Sequence, residues 1–89
     1  MNNKIKTTKD RAVHRLKIIQ GHISAIQKMI NGDRYCVDII HQSMAVQKAL
    51  KKFDKLIMED HLNSCVIHGI KNGNEKATVN ELLTIYEMS

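Results

Sequence analysis

Residues 34–68 read RYCVDIIHQSMAVQKALKKFDKLIMEDHLNSCVIH, and this stretch contains neither glycine nor proline. Apolar residues recur along it at helical spacing, at Ile40, Leu50, Phe53, Ile57 and Leu62, which predicts one long helix. At about 1.5 Å per residue this helix extends about 50 Å, more than a folded monomer of this size can cover. We therefore expect partner chains to bury much of it.

A first helix is predicted ahead of this stretch, near residues 8–30. Thr7 or Thr8 can cap its start, because a hydroxyl oxygen accepts a hydrogen bond from the first helical turn. Gly32 suits its C-terminal cap, and Asp33 can cap the helix that follows. The two longer helices are therefore expected to meet at a short turn.

A third, short helix is predicted near residues 75–87. Gly69 is expected to end the long helix, and the Asn72-Gly73-Asn74 run is expected to turn the chain. The sequence thus predicts an all-α fold with three helices and a long central helix. Residues 1–89 are expected to form one domain, which is too short to bury a large core without a partner.

The composition indicates an intracellular protein. The 89 residues include two cysteines and no proline or tryptophan, which does not resemble the disulfide framework of a small secreted domain. No apolar stretch approaches the roughly 20 residues of a membrane span. We therefore expect a cytoplasmic protein with reduced thiols and no membrane partner.

The net charge of +5 is unevenly distributed along the chain. Residues 1–55 hold 12 Lys or Arg against 4 Asp or Glu, whereas residues 56–89 hold 2 against 5. A basic half of this kind suits a polyanion such as DNA, and it is equally typical of a solvated protein surface. Charge alone leaves both interpretations open.

Three side chains form a candidate metal site. His61 and Cys65 are four residues apart and therefore lie on one helix face, a turn apart. Cys36 lies 25 positions before His61, about 37 Å away along a continuous helix, so it cannot share their site within one chain. Around the axis of an ideal helix, however, the side chain of Cys36 points within about 20° of the directions of His61 and Cys65. Two antiparallel copies of the helix would thus bring Cys36 of one chain to His61 and Cys65 of the other, at two equivalent sites.

Two thiolates and one imidazole are a soft donor set that suits three-coordinate Cu(I). They would also accept Zn(II) if a fourth ligand were added, and His68 is the nearest candidate in sequence. The alternative is that Cys36 and Cys65 are small buried core residues and that His61 is an ordinary histidine near a helix end.

Several short motifs are spread over nearly the whole chain: Arg15-Leu16, Gly21-His22, Tyr35-Cys36-Val37-Asp38, Gln42, Ala45, Leu50, His61-Leu62 and Cys65. Together they resemble the CsoR family of copper-sensing repressors. The resemblance implies a dimer built on an antiparallel four-helix bundle, with two dimers pairing into a tetramer. It also implies a repressor that binds operator DNA when metal-free and is released by Cu(I), derepressing copper-resistance or efflux genes.

The same resemblance implies two residues that orient the metal-binding histidine, Tyr35 and Glu81. Tyr35 also fits an ordinary half-buried aromatic residue at a helix start. Thr78 and Glu81 also fit a capping box, in which both side chains would bond to the backbone at a helix start.

The candidate DNA-binding residues are basic and follow helical spacing. They are Arg11, Arg15, Lys48, Lys51, Lys52 and Lys55. On two helices these side chains can follow DNA phosphates, although a solvated charged face has the same spacing. The family resemblance implies that Arg15 and Lys52 contribute to operator binding.

Other function classes fit the sequence less well. An enzyme is not expected, because no phosphate-binding glycine loop, nucleophile elbow or pair of catalytic carboxylates is present, and no small-molecule substrate is implied. A copper carrier or a helical interaction module would keep the metal ligands without needing the basic stripe. A persulfide-sensing repressor of the same family would use Cys36 and Cys65 alone, and it is the nearest alternative.

Overall fold

The computed structural model describes residues 7–88, and every regular element in that range is helical. The elements are α1 (Thr8–Asn31), α2 (Cys36–His61), a π-helical turn (Leu62–Val66), α3 (Ile67–Lys71) and α4 (Glu75–Met88). The predicted all-α class is therefore confirmed. The expected dimer and tetramer stay predictions, because the structure describes a single chain.

Helix α1 begins at a capping box, and its N-cap is Thr7, one of the two threonines predicted for this position. The Thr7 hydroxyl accepts a hydrogen bond from the Asp10 backbone N–H at 3.1 Å, and the Thr7 N–H donates to the Asp10 carboxylate at 3.3 Å. Two N–H groups that would otherwise lack a helical partner are thus satisfied.

The turn between α1 and α2 differs from the predicted one. Gly32 is the C-terminal cap, and its N–H donates to the Lys28 carbonyl at 2.9 Å. The expectation that Asp33 caps the second helix is wrong, because α2 begins at Cys36 and Asp33 has a left-handed φ of 53°. Aspartate tolerates this conformation better than most residues, so Asp33 serves to reverse the chain.

The second helix also ends differently from the prediction. The α-helical hydrogen bonding stops at His61, continues as a π-helical turn, and resumes in α3 as far as Lys71. Gly69 therefore lies inside α3 and does not end the helix. A Cβ atom at Gly69 would lie 2.5 Å from the Thr78 hydroxyl oxygen, so this glycine permits a close approach of α3 and α4.

Two compact units make up the chain, one ending at Ile57 and the other beginning at Met58. In the first unit, Ala12 and Ile19 of α1 and Val46 of α2 are buried. In the second unit, Val66 of the π-helical turn is buried. So few buried side chains within one chain leave most of the apolar surface of the described helices in contact with solvent.

Helix α2 carries two apolar stripes, where the sequence predicted one. The better-covered stripe follows three- and four-residue steps through Ile39, Ser43, Val46, Ala49, Phe53 and Leu56. Of the predicted stripe, only Phe53 belongs to this set, whereas Ile40, Leu50 and Ile57 are 55%, 39% and 41% exposed. The exposed residues thus form a second apolar face that the single chain does not cover.

Among the described helices, none combines the length and the apolar character that a membrane span requires.

Candidate metal-binding site

The centre of the candidate site is a hydrogen bond between His61, the last residue of α2, and Glu81 of α4. The His61 Nε2 and Glu81 Oε1 atoms are 2.7 Å apart, and the two side chains are 29% and 57% exposed. An ionised carboxylate only accepts hydrogen bonds, so Nε2 carries the proton in this contact. In a neutral imidazole the lone pair of Nδ1 is then the ring's donor for a metal ion.

Cys65 lies four residues after His61, within the π-helical turn. Its thiol is exposed and reduced, and the Ser64 hydroxyl lies 3.8 Å from its sulfur while donating to the Asp60 carbonyl at 2.8 Å. A π-helical turn changes the angle between residues relative to an α-helix, and such turns are frequent at functional sites. The angular alignment calculated for an ideal helix therefore does not describe Cys65.

The remaining candidate ligand, Cys36, is the first residue of α2, with Tyr35 directly before it. The Cys36 thiol is exposed and reduced, and Tyr35 is 69% exposed. These two residues belong to the first unit, whereas His61, Cys65 and Glu81 belong to the second. Within residues 7–88 of a single chain, no three His, Cys, Asp or Glu side chains converge into a metal site.

His68, the candidate fourth ligand, already has a partner. Its Nε2 atom lies 2.8 Å from the Asn72 side-chain nitrogen, one helical turn further on. Because an amide NH₂ group only donates, Nε2 accepts here and its lone pair is occupied. The i, i+4 spacing of His68 and Asn72 is the sequence signal that could have indicated this hydrogen bond.

The capping-box interpretation of Thr78 and Glu81 is wrong. Helix α4 begins at Glu75, so Thr78 is its fourth residue and lies inside the helix. The Glu81 carboxylate bonds to His61 and not to a backbone N–H at a helix start. Glu81 therefore contacts the residue that the resemblance associated with it.

All six candidate DNA-binding residues are exposed on the surface of their helices. They are Arg11 and Arg15 of α1 and Lys48, Lys51, Lys52 and Lys55 of α2. The four lysines lie on the side of α2 roughly opposite to Val46. Within the described part of the chain none of the six forms an ion pair.

The family model for metal-sensitive transcriptional repressors matches residues 8–88. The chain is 41% identical over 87 residues to the copper-sensing transcriptional repressor CsoR of Bacillus subtilis, a match that covers 98% of this chain and 86% of the relative. It is 32% identical over 83 residues to the protein of the same description from Mycobacterium tuberculosis, covering 93% and 70% of the two chains.

Two solved structures are similar over nearly the whole chain. The copper-sensing repressor CsoR with Cu(I) from Geobacillus thermodenitrificans has a TM-score of 0.87 and 33% identity, with 99% of this chain and 92% of the other covered. The nickel-responsive transcriptional regulator InrS has a TM-score of 0.77 and 29% identity, with 98% of each chain covered. By its sequence and its fold, the chain belongs to the CsoR family of metal-sensitive transcriptional repressors.

Proposed function

We propose that this protein is a Cu(I)-responsive transcriptional repressor that binds operator DNA when metal-free and is released on binding Cu(I). The observation that carries this proposal is the 2.7 Å contact between His61 Nε2 and Glu81. This contact leaves Nδ1 as a metal donor, four residues before the exposed thiol of Cys65. It also connects the candidate ligand to a second helix, as a sensor requires if metal binding is to move other parts of the protein.

The proposed metal ligands are Cys36 of one chain and His61 and Cys65 of its partner. Two thiolates and one imidazole favour Cu(I) over harder ions, and the exposed thiols are accessible to it. The nickel-responsive relative shows that the fold also serves another metal, so the donor set and not the fold supports Cu(I). When bound, Cu(I) would draw these three side chains together.

The exposed stripe of α2 supports an antiparallel dimer. Steps of four and three residues alternate along this side of α2 through Cys36, Ile40, Ser43, Gln47, Leu50, Asp54, Ile57 and His61, of which Ser43, at the border with the covered stripe, and His61 are half-buried. Such a repeat is typical of a helix–helix seam. The pattern reads the same from both ends of α2. In an antiparallel pair Ile40 would thus meet Ile57 of the partner, and Cys36 would meet His61 of the partner.

The role proposed for Tyr35 follows from the same antiparallel pairing. It precedes Cys36 directly and is 69% exposed in the single chain, so a partner that contacts Cys36 would also cover much of Tyr35. We propose that its hydroxyl supports the orientation of the partner's imidazole, together with the partner's own Glu81.

The proposed DNA surface consists of the six basic residues described above, with Arg15 and Lys52 as the main contributors. Their exposure and lack of ion pairs within the described residues support phosphate contacts. In a dimer of dimers this surface would occur four times, and its affinity for DNA would fall steeply with salt. Lys52 would supply charge without the bidentate geometry of arginine.

Coupling between metal and DNA is proposed to run through α4. Cys36 of one chain approaches His61 and Cys65 of the other, Glu81 follows His61, and α4 moves with Glu81, which lowers the affinity for DNA. Linkage requires operator DNA to weaken Cu(I) binding by the same factor, corresponding typically to about 1–3 kcal/mol. We further infer that residues 1–89 act as one functional domain in the cytoplasm, where both thiols stay reduced. A repressor family is not an enzyme class, and no catalytic step is assigned.

The test is an anaerobic Cu(I) titration of the reduced protein bound to fluorescent DNA from its own upstream region, followed by anisotropy. Wild-type protein should leave the DNA as Cu(I) is added, and a Cys36→Ala variant should remain bound. A wild-type protein that ignores Cu(I) but leaves DNA on treatment with a persulfide would contradict the proposal. So would tight Cu(I) binding without DNA affinity at low salt, which would indicate a carrier.

The persulfide alternative is not favoured by the comparisons, since the similar repressors named above are described as copper-sensing. It also gives no role to the contact between His61 and Glu81.

A further inference from the structure

Helices α3 and α4 lie close together at Gly69 and Thr78. A Cβ atom added at Gly69 would lie 2.5 Å from Thr78 Oγ1 and 3.7 Å from Thr78 Cβ. The first distance is a steric overlap, whereas the second is ordinary van der Waals contact. Any side chain at position 69 would thus force α4 or the Thr78 side chain to move.

A chain of backbone hydrogen bonds joins the same two residues. The Asn74 N–H donates to the Gly69 carbonyl at 2.8 Å, and the Thr78 N–H donates to the Asn74 carbonyl at 3.0 Å. Gly69 therefore holds the start of α4 through its backbone and permits close packing through its missing side chain. Both features fix the first turn of α4 against α3.

Glu81 lies three residues after Thr78, on the same face of α4. Its carboxylate meets His61 Nε2 at 2.7 Å, so the position of α4 influences whether the two atoms stay within hydrogen-bonding distance. Resting on the proposed metal-sensing function, we propose that Gly69 and Thr78 are positioning residues. Their contact sets the position of α4 at which Glu81 holds the His61 imidazole with Nδ1 free for the metal.

The packing of α3 against α4 depends on the combined side-chain volume at positions 69 and 78. Gly69→Ala adds a methyl group where Thr78 Oγ1 lies, whereas Thr78→Ala leaves a gap. Gly69→Ala combined with Thr78→Ala restores a fitting pair, because the remaining Cβ atoms would be about 3.7 Å apart. Thr78→Val keeps the branched shape. Gly21→Ala is the matched control in α1, because outside the backbone of its own helix turn and its two chain neighbours no described atom lies within 4 Å of a Cβ added there.

The experiment is ¹⁵N NMR of the His61 ring in full-length, metal-free protein, with Glu81→Ala as the reference for an imidazole without its carboxylate partner. This readout needs neither Cu(I) nor DNA, so it can succeed or fail independently of the proposed function. Gly69→Ala and Thr78→Ala should each shift the His61 nitrogens toward the Glu81→Ala values. The double variant and Thr78→Val should return them to wild-type values, and Gly21→Ala should leave them unchanged.

Circular dichroism establishes first that each variant is helical. If Gly69→Ala does not fold, Thr78→Ala compared with Thr78→Val still decides the question. Wild-type His61 signals in Thr78→Ala would overturn the proposal, as would a folded double variant whose His61 signals stay at the Glu81→Ala values.

Discussion

Replacing Glu81 by alanine should weaken metal sensing much more than it weakens folding. The two side chains of the His61 contact are 29% and 57% exposed, and exposed pairs of this kind contribute only about 0.2–1 kcal/mol to stability. For a domain of this size, that corresponds to a fall in Tm of at most about 4–8 °C. Loss of a group that orients a metal-binding histidine, by contrast, costs about 10- to 100-fold in metal affinity.

We expect the lower end of that range, about 10-fold, because the carboxylate at Glu81 is more than half exposed. Competition with a Cu(I) chelator measures the affinity, and thermal unfolding followed by circular dichroism measures Tm. Glu87→Ala is the matched control, since it removes the same charge from an exposed position of α4. Equal Cu(I) affinities for the two variants would contradict the orienting role of Glu81, as would a loss of several kcal/mol in unfolding free energy for Glu81→Ala alone.

Three further substitutions test the DNA surface, the dimer seam and the turn before α4. Lys52→Ala should reduce the slope of log K for DNA against log salt by about 0.9 for each phosphate that Lys52 neutralises, whereas Lys76→Ala on α4 should not; equal slopes would argue against DNA binding by Lys52. Leu50→Glu introduces a charge into the exposed stripe of α2 and should shift the dimer toward monomer in sedimentation velocity, so an unchanged sedimentation coefficient would exclude that stripe as the seam. Gly73→Ala should lower the urea-unfolding free energy by about 1 kcal/mol, because Gly73 has a φ of 79°, and an unchanged free energy would show that the turn relaxes.

Local features of the fold were predictable from neighbouring residues. Thr7 and Asp10 form the capping box that a hydroxyl and a carboxylate three residues apart allow. The end of α1 and the start of α4 lie within one residue of the predicted positions, because both coincide with glycine and asparagine turns. Interactions between neighbours in sequence decide such features.

Features that depend on packing were not predictable in the same way. Gly69 was predicted to end the long helix, but it lies inside α3. A glycine that stops a helix and a glycine that permits close packing look identical in sequence. The π-helical turn at Leu62–Val66 contains no glycine or proline that would mark it in the sequence. A π-helical turn differs from an α-helical one in its hydrogen-bond spacing, and this difference requires no particular residue type.

The candidate site was predictable in part. Helix geometry places His61 and Cys65 about one turn apart, and the two-chain requirement for Cys36 stays a prediction from the same geometry. The partner of His61 came only from the family resemblance, because Glu81 lies 20 residues away and the path between them passes through a turn whose direction depends on packing.

Each metal site is proposed to combine residues of two chains, and mixed dimers are the sharpest test of that proposal. A Cys36→Ala variant and a Cys65→Ala variant should each lack tight Cu(I) binding. When equal amounts are co-refolded under anaerobic conditions, about half of the dimers contain one chain of each kind, and each of these has one complete site by two-fold symmetry. Chelator competition should then recover about one quarter of the wild-type tight sites. No recovery in a mixture shown by mass spectrometry to contain the mixed dimer would contradict the two-chain site.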